Sequence, residues 1–126
     1  MKMLLAVAIG GALGAMTRYK LVGLVTHLAG HGFPWGTLFV NVLGSFMMGL
    51  LVELGALKFN LSQEARAFLV VGLLGGFTTF SSFSLDVATL WHRGATMATG
   101  VYVAGSVGLS ILALFFGLVA ARMAVT

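Results

Sequence analysis

The chain has 126 residues, of which 60% are hydrophobic and only 8% charged, and its mean hydropathy is +1.08. A soluble domain carries about 45–50% apolar and about 25% charged residues. This composition therefore excludes a water-soluble globule and predicts an all-α integral membrane protein. The seven Lys and Arg residues are scattered singly, which argues against nucleic acid as a partner. The absence of Cys excludes disulfides, thiolate metal sites and cysteine nucleophiles.

Four apolar stretches are long enough to cross a bilayer, because a hydrocarbon core about 30 Å thick needs roughly 20 helical residues. The predicted spans cover approximately residues 3–25, 36–57, 65–91 and 95–121, within a single transmembrane domain of residues 1–126. Pro34 suits the start of the second helix, and Asn60 or Ser62 can cap the third. Met1–Ala15 also has features of a cleaved signal peptide, but an uncleaved first helix is the simpler interpretation. The chain is predicted to be a multi-pass protein of the cytoplasmic (inner) membrane.

The basic residues give the chain almost no preferred orientation in the membrane. The side with the termini and the 58–66 loop holds Lys2, Lys58, Arg66 and Arg122, and the opposite side holds Arg18, Lys20 and Arg93. So small a difference in positive charge allows insertion in both orientations, and the two forms can then pair as an antiparallel, dual-topology homodimer. Three small-residue pairs at i,i+4 spacing can pack helices either within one subunit or between two. These pairs are Gly10/Gly14, Gly72/Gly76 and Ala104/Gly108.

The third span contains the sequence GGFTTFSSFS at residues 75–84. Two glycines followed by β-branched, hydroxyl and aromatic residues form helices poorly, so a break in mid-membrane is predicted. The alternative is a continuous helix whose Ser and Thr hydroxyls bond to carbonyls one turn earlier. A break frees carbonyls for a cation and presents a half-helix N-terminus to an anion. Phe80 and Phe83 face similar directions, so they can either cradle a small anion with their electropositive ring edges or simply pack.

Neutral polar residues recur at every fourth position in the second and fourth spans. The two sets are Thr37, Asn41 and Ser45, and Tyr102, Ser106 and Ser110. Each set lies on one face of its helix. The two faces line a narrow polar track or, alternatively, hold the helices together by hydrogen bonds. Donors without full charge suit an anion that must both enter and leave.

The 75–84 segment resembles the GG-x-(S/T)-TFS-(S/T)-FS signature of the small fluoride channels (Fluc/CrcB family). The sequences GTLFVN at 36–41 and GGALGA at 10–15 are supporting matches, and the resemblance covers essentially the whole chain. It implies an antiparallel homodimer of four-helix subunits that exports fluoride passively through two pores per dimer. It also implies a structural Na⁺ at the dimer centre, held by the backbone carbonyls of Gly75 and Thr78.

The resemblance further implies which residues line the fluoride path. They are an aromatic pair, a second-helix amide, a fourth-helix polar track and neighbouring polar groups: Phe80, Phe83, Asn41, Ser106, Ser110, Tyr102, Thr79 and Thr37. Arg18 is expected either to draw anions into an aqueous vestibule or to extend towards the membrane surface. Asp86 is expected either to pair with Arg18 or to lie at the membrane interface.

Two other functions fit the size and span count. A small multidrug exporter of the four-helix, dual-topology type needs a membrane-embedded Glu in its first helix, yet no Asp or Glu precedes Glu53. A non-transporting assembly subunit would use the polar stripes for packing alone, and fluoride efflux from liposomes distinguishes it from a channel. An enzyme is not expected, because the spans contain no nucleophile–base–acid set. The expected partners are fluoride, the lipid bilayer and a second copy of the chain.

Overall fold

A computed structural model describes all 126 residues and consists entirely of helices and turns. The helices are α1 (Lys2–Ala29), α2 (Trp35–Leu57), α3 (63–77), α4 (Phe80–His92) and α5 (Thr96–Val125). Together α3 and α4 form the third of four apolar helical stretches, each of 23 to 30 residues. At 1.5 Å per residue such helices are about 35–45 Å long, which is enough to cross a bilayer. The chain is therefore a multi-pass α-helical membrane protein with four spans, as predicted.

The helices begin and end close to the predicted span limits but generally extend further. The first helix continues to Ala29, where the N–H of Gly30 donates to the Thr26 carbonyl and Gly30 adopts a positive φ of 94° that ends the helix. Ser62, rather than Asn60, caps α3 by accepting a hydrogen bond from the Ala65 N–H at 3.1 Å. Most large apolar side chains on the outer surface are exposed, as expected for a bundle surrounded by lipid.

Glycines bring α1 and α3 into backbone contact. A Cβ added at Gly72 would lie 2.9 Å from the Val7 carbonyl oxygen, and one at Gly76 would lie 2.7 Å from the Gly11 carbonyl oxygen. Cβ atoms at Gly10 or Gly14 would likewise overlap the α3 backbone. Two of the predicted small-residue pairs therefore pack helices within one subunit.

The third small-residue pair is different, because Ala104 and Gly108 lie on the outer surface of α5. A Cβ added at Gly108 would meet no atom within 4 Å. This surface is therefore free within one subunit.

A second backbone contact joins α2 to α5. Gly49 and Gly117 face each other, and a Cβ on either residue would overlap the backbone of the opposite helix. Near the ends of the same two helices, Arg122 forms an ion pair with Glu53 at 2.8 Å. The glycine crossing holds α5 against α2, and the ion pair adds a further contact near the helix ends.

The middle of α3 is a π-helix from Ala67 to Leu74. At its end the N–H of Gly75 donates to the Val70 carbonyl, five residues earlier. Segments of π-helix are rare and occur frequently at functional sites. This wider helix leads directly into the 75–84 segment.

Candidate functional site

Regular helical structure stops between α3 and α4, at Thr78 and Thr79. Both residues are extended, with ψ values of 158° and 120°. The Thr78 hydroxyl donates to the Leu74 carbonyl at 3.1 Å, at the end of α3. The Thr79 hydroxyl accepts the Ser82 N–H at 3.1 Å and caps the start of α4. Two consecutive threonines thus end one helix and begin the next with their own side chains.

Asn41 on α2 binds the backbone of Thr79 with both groups of its amide. Its Nδ2 donates to the Thr79 carbonyl at 3.1 Å, and its Oδ1 accepts the Thr79 N–H at 2.8 Å. The family resemblance implies a pore-lining role for Asn41, and the sequence analysis did not predict this contact with Thr79. Because an amide nitrogen carries two hydrogens, one donor of Asn41 is not used by Thr79.

These side-chain contacts remove donors from two carbonyls of the third span. In a continuous α-helix the Thr79 N–H would donate to the Gly75 carbonyl, and the Ser82 N–H would donate to the Thr78 carbonyl. Here the two N–H groups donate to the Asn41 and Thr79 side chains instead. The Gly75 and Thr78 carbonyls therefore lack these two partners.

One cavity of about 400 Å³ runs beside the interruption, and we call it the track cavity. It brings together most of the predicted path residues with several apolar side chains. Its lining is Asn41, Gly44, Ser45, Met48, Thr78, Thr79, Phe80, Phe83, Ser106, Val107, Ser110, Ile111 and Leu114. The Ser106 hydroxyl is buried and is the only buried side-chain polar atom without a hydrogen-bond partner. The track cavity is thus where the protein leaves a polar group unsatisfied.

A second cavity, of about 700 Å³, also borders Thr79, and we call it the vestibule cavity. It is lined by Ala15, Arg18, Tyr19, Lys20, Val22, Gly23, Thr37, Thr79 and Ser82. Arg18 donates from Nε to the Gly76 carbonyl at 3.1 Å, next to the end of α3. A cation there complements the negative end of the helix dipole. Thr79 borders both cavities, so both adjoin the interruption.

A row of aromatic rings leads away from the interruption. Phe80 is 76% exposed whereas Phe83 is only 8% exposed, and their ring centroids are 5.5 Å apart. Phe83 packs on Tyr102 at 5.1 Å, and Tyr102 packs on Phe33 at 5.4 Å. Tyr102 is fully buried and, unlike Ser106 and Ser110, lines neither cavity.

Asp86 is not the partner of Arg18. Its carboxylate accepts a hydrogen bond from the Tyr102 hydroxyl at 2.9 Å, across the α4–α5 turn. Sequence reasoning missed this pair. The rule that an ionisable residue in a span has a polar partner could have led to it, because Tyr102 is the one phenol in the following span.

No group of three or more His, Cys, Asp or Glu residues lies close enough together to hold a metal ion. A cation at this site would have to rely on neutral oxygens, such as backbone carbonyls. The Gly75 and Thr78 carbonyls are the candidates that the interruption supplies.

The fold and the site together define a class: a four-span membrane protein with two cavities, each lined in part by polar side chains, beside an interrupted helix. Residues 5–118 match the family model described as CrcB-like protein, Camphor Resistance (CrcB), and the chain belongs to this family. It is 59% identical over 119 residues to the fluoride-specific ion channel FluC of Chelativorans sp. (strain BNC1), covering 94% of this chain and 95% of the relative. It is 58% identical over 125 residues to the FluC channel of Rhodospirillum centenum, covering 99% of each chain. The resemblance found in the sequence is confirmed, and the family is one of ion channels rather than enzymes.

Proposed function

We propose that this chain is a fluoride-selective channel that exports fluoride passively across the cytoplasmic membrane. The observation that carries the proposal is the unpartnered hydroxyl of Ser106 in the track cavity, close to Ser45 and Ser110. Leaving a buried hydroxyl unsatisfied costs about 1–3 kcal/mol. A small, strongly hydrated anion that accepts a hydrogen bond from Ser106 removes this cost and gains a replacement for lost water. The relatives named as fluoride-specific channels support fluoride as this anion.

The remaining lining of the track cavity suits an anion that passes through. The unused amide hydrogen of Asn41 and the hydroxyls of Ser45 and Ser110 are neutral donors. No Lys or Arg lines this cavity, so no permanent positive charge traps the ion. Phe80 and Phe83 add ring edges, which carry partial positive charge.

The vestibule cavity contains positive charges that attract anions, whereas the track cavity contains none. Arg18 and Lys20 both line it, and cationic walls around a cleft raise the local concentration of anions. Thr79 borders both cavities. Fluoride therefore passes from the vestibule cavity to the track cavity beside the interrupted helix.

The functional unit is an antiparallel dual-topology homodimer with two pores, one along each copy of the track cavity. Phe80 is 76% exposed although it borders this cavity, so a second subunit is needed to cover the open side of the path. Ala104 and Gly108 give α5 a free small-residue surface for close helix contact. The near balance of basic residues on the two sides supports mixed orientation.

A structural Na⁺ at the centre of this dimer would be held by the Gly75 and Thr78 carbonyls of both subunits. These carbonyls fit the role because the donors that would normally satisfy them are bound elsewhere. The ion would supply a positive charge between the two paths and a bond between subunits. Its contribution is measured by the melting temperature of the detergent-solubilised dimer, which should fall when choline replaces Na⁺.

Fluoride efflux from proteoliposomes, followed with a fluoride-selective electrode, tests the proposal. The wild-type protein should release fluoride and retain chloride, and Ser106→Ala should slow fluoride efflux about tenfold through loss of one buried donor. Thr89→Ala is the matched control, since the exposed Thr89 hydroxyl bonds only to the Leu85 carbonyl within α4. Wild-type vesicles that release neither anion would contradict the proposal and support an assembly subunit.

Labelling of intact cells tests the orientation. The chain contains no Cys, so Asn60→Cys places a single exposed thiol in the loop before α3. A membrane-impermeant maleimide should label about half of the molecules, because each orientation presents this loop on a different side. Labelling of all molecules, or of none until the cells are broken, would contradict dual topology.

A further inference from the structure

Phe33, in the loop between α1 and α2, extends the aromatic row to the edge of the bundle. Its ring meets Tyr102 almost at right angles, with an interplanar angle of 87° and centroids 5.4 Å apart. Phe33 is partly buried against the core cluster of Phe83, Leu90 and Tyr102. A loop residue therefore packs directly on the row that leads to the proposed fluoride path.

The loop holds Phe33 in place from both sides. The Arg93 guanidinium donates from Nη2 to the Gly32 carbonyl at 3.4 Å, which ties the loop to the end of α4. On the other side, the Trp35 N–H donates to the Phe33 carbonyl at 2.8 Å, and the two rings are 4.7 Å apart. Pro34 between them restricts the backbone. The position of the Phe33 ring is thus fixed by the fold.

Two contacts of Tyr102 are made only while its side chain stays in this position. Its ring packs on Phe83 at 5.1 Å, and its hydroxyl donates to Asp86 at 2.9 Å. No other side-chain hydrogen bond reaches Asp86. If Tyr102 moved, the Asp86 carboxylate would lose the hydroxyl dipole that offsets part of its negative charge. Asp86 lies one helical turn after Ser82 and Phe83, which line the two cavities, so the less screened charge would repel an anion there.

We infer that Phe33 is a positioning residue for the fluoride path, which holds Tyr102 against Phe83 and keeps the Asp86 carboxylate bound to a donor. The inference rests on the proposed function. Phe33 touches neither cavity, so it acts through Tyr102 rather than on the ion itself. Through Phe33, the α1–α2 loop contributes to anion transport as well as connecting two helices.

Fluoride efflux from proteoliposomes provides the first test. Phe33→Leu keeps an apolar side chain but removes the ring, and it should slow efflux about three- to tenfold, the effect of losing one aromatic pair. Phe33→Trp restores a ring and should stay within about twofold of wild type. Trp91→Leu is the control, because Trp91 is an exposed aromatic residue that forms no ring pair in the bundle. Wild-type efflux in Phe33→Leu would overturn the inference.

The Asp86→Asn background separates a positioning role from a merely structural one. Without the carboxylate, displacement of Tyr102 exposes no charge, so adding Phe33→Leu should slow efflux by less than about twofold. An equal loss of efflux in both backgrounds would mean that Phe33 only stabilises the fold, and it would overturn the inference.

A spectroscopic measurement tests the inference even if Asp86→Asn blocks transport. The chain has two tyrosines, so Tyr19→Phe protein labelled with 3-fluorotyrosine reports on Tyr102 alone. Phe33→Leu should broaden or split the ¹⁹F signal of Tyr102, whereas Phe33→Trp should leave one narrow signal. An unchanged spectrum in Phe33→Leu would overturn the positioning role. Absence of efflux in the wild-type protein would instead contradict the proposed function. The ¹⁹F spectrum would then still test whether Phe33 positions Tyr102.

Discussion

The glycine crossings and the interrupted third span hold their helices by different physical means. At the crossings, Gly49 faces Gly117 and Gly10 faces Gly72, so that backbones touch without side chains between them. At the interruption, the amide of Asn41 and the hydroxyls of Thr78 and Thr79 take over hydrogen bonds that a helix would make for itself. The first arrangement leaves no space for a methyl group, while the second leaves space for an ion. Within one bundle, the glycine crossings therefore hold the helices together, whereas the contacts at the interruption leave space beside them.

Gly117→Ala should have the largest effect, and it should reduce the amount of correctly folded protein. The new methyl would overlap the α2 backbone at Phe46 and Leu50, and such overpacking in a tight contact costs about 1–3 kcal/mol or more. We expect a strong loss of folded protein, measured as the monodisperse fraction in size-exclusion chromatography. Gly100→Ala is the matched control, since its Cβ would meet nothing within 4 Å. Equal recovery of the two variants would show that the α2–α5 contact tolerates side chains.

Asn41→Asp should distinguish the interruption from the glycine crossings most clearly, because it should impair transport and leave helix packing intact. The carboxylate cannot donate to the Thr79 carbonyl, and it places a negative charge beside the track cavity. We expect fluoride efflux to fall by at least about tenfold while the protein still elutes as in wild type. Asn60→Asp, in the exposed loop before α3, makes the same chemical change away from the site and should transport normally. Normal efflux in Asn41→Asp would mean that the interruption does not need the amide.

Glu53→Gln should have the smallest effect of the three. The Arg122 side chain of the ion pair is 67% exposed, and pairs with one exposed partner contribute roughly 0–1 kcal/mol. We expect a decrease of a few degrees or less in melting temperature and no change in fluoride efflux. A loss of efflux would mean that the α2–α5 ends influence the path, so that the two regions are not independent.

The sequence predicted the spans well because membrane crossing is a property of composition and length. Hydrophobic runs bounded by charged residues place four helices almost unambiguously. The polar stripes also pointed to the track cavity, since four of its lining residues, Asn41, Ser45, Ser106 and Ser110, repeat with the helical period on one face of their helices.

Contacts between distant parts of the chain were the ones that the sequence did not reveal. The Asn41–Thr79, Arg18–Gly76 and Tyr102–Asp86 hydrogen bonds depend on how the helices are rotated against one another. That rotation follows from the glycine crossings and from the π-helix of 67–74, whose five-residue hydrogen bonds shift the phase of all later residues in α3. The spacing of residues within one helix does not show how that helix is rotated against its neighbours. Asp86 was consequently assigned to Arg18 or to the membrane surface.

The bond between Asn41 and Thr79 also has a consequence for biogenesis. The two residues are 38 positions apart, and the second span leaves the ribosome before the third. A bare Thr79 N–H and carbonyl in hydrocarbon would each lack a partner, which is costly there. The third span should therefore enter the bilayer as an unbroken helix and open only after the second span has docked beside it.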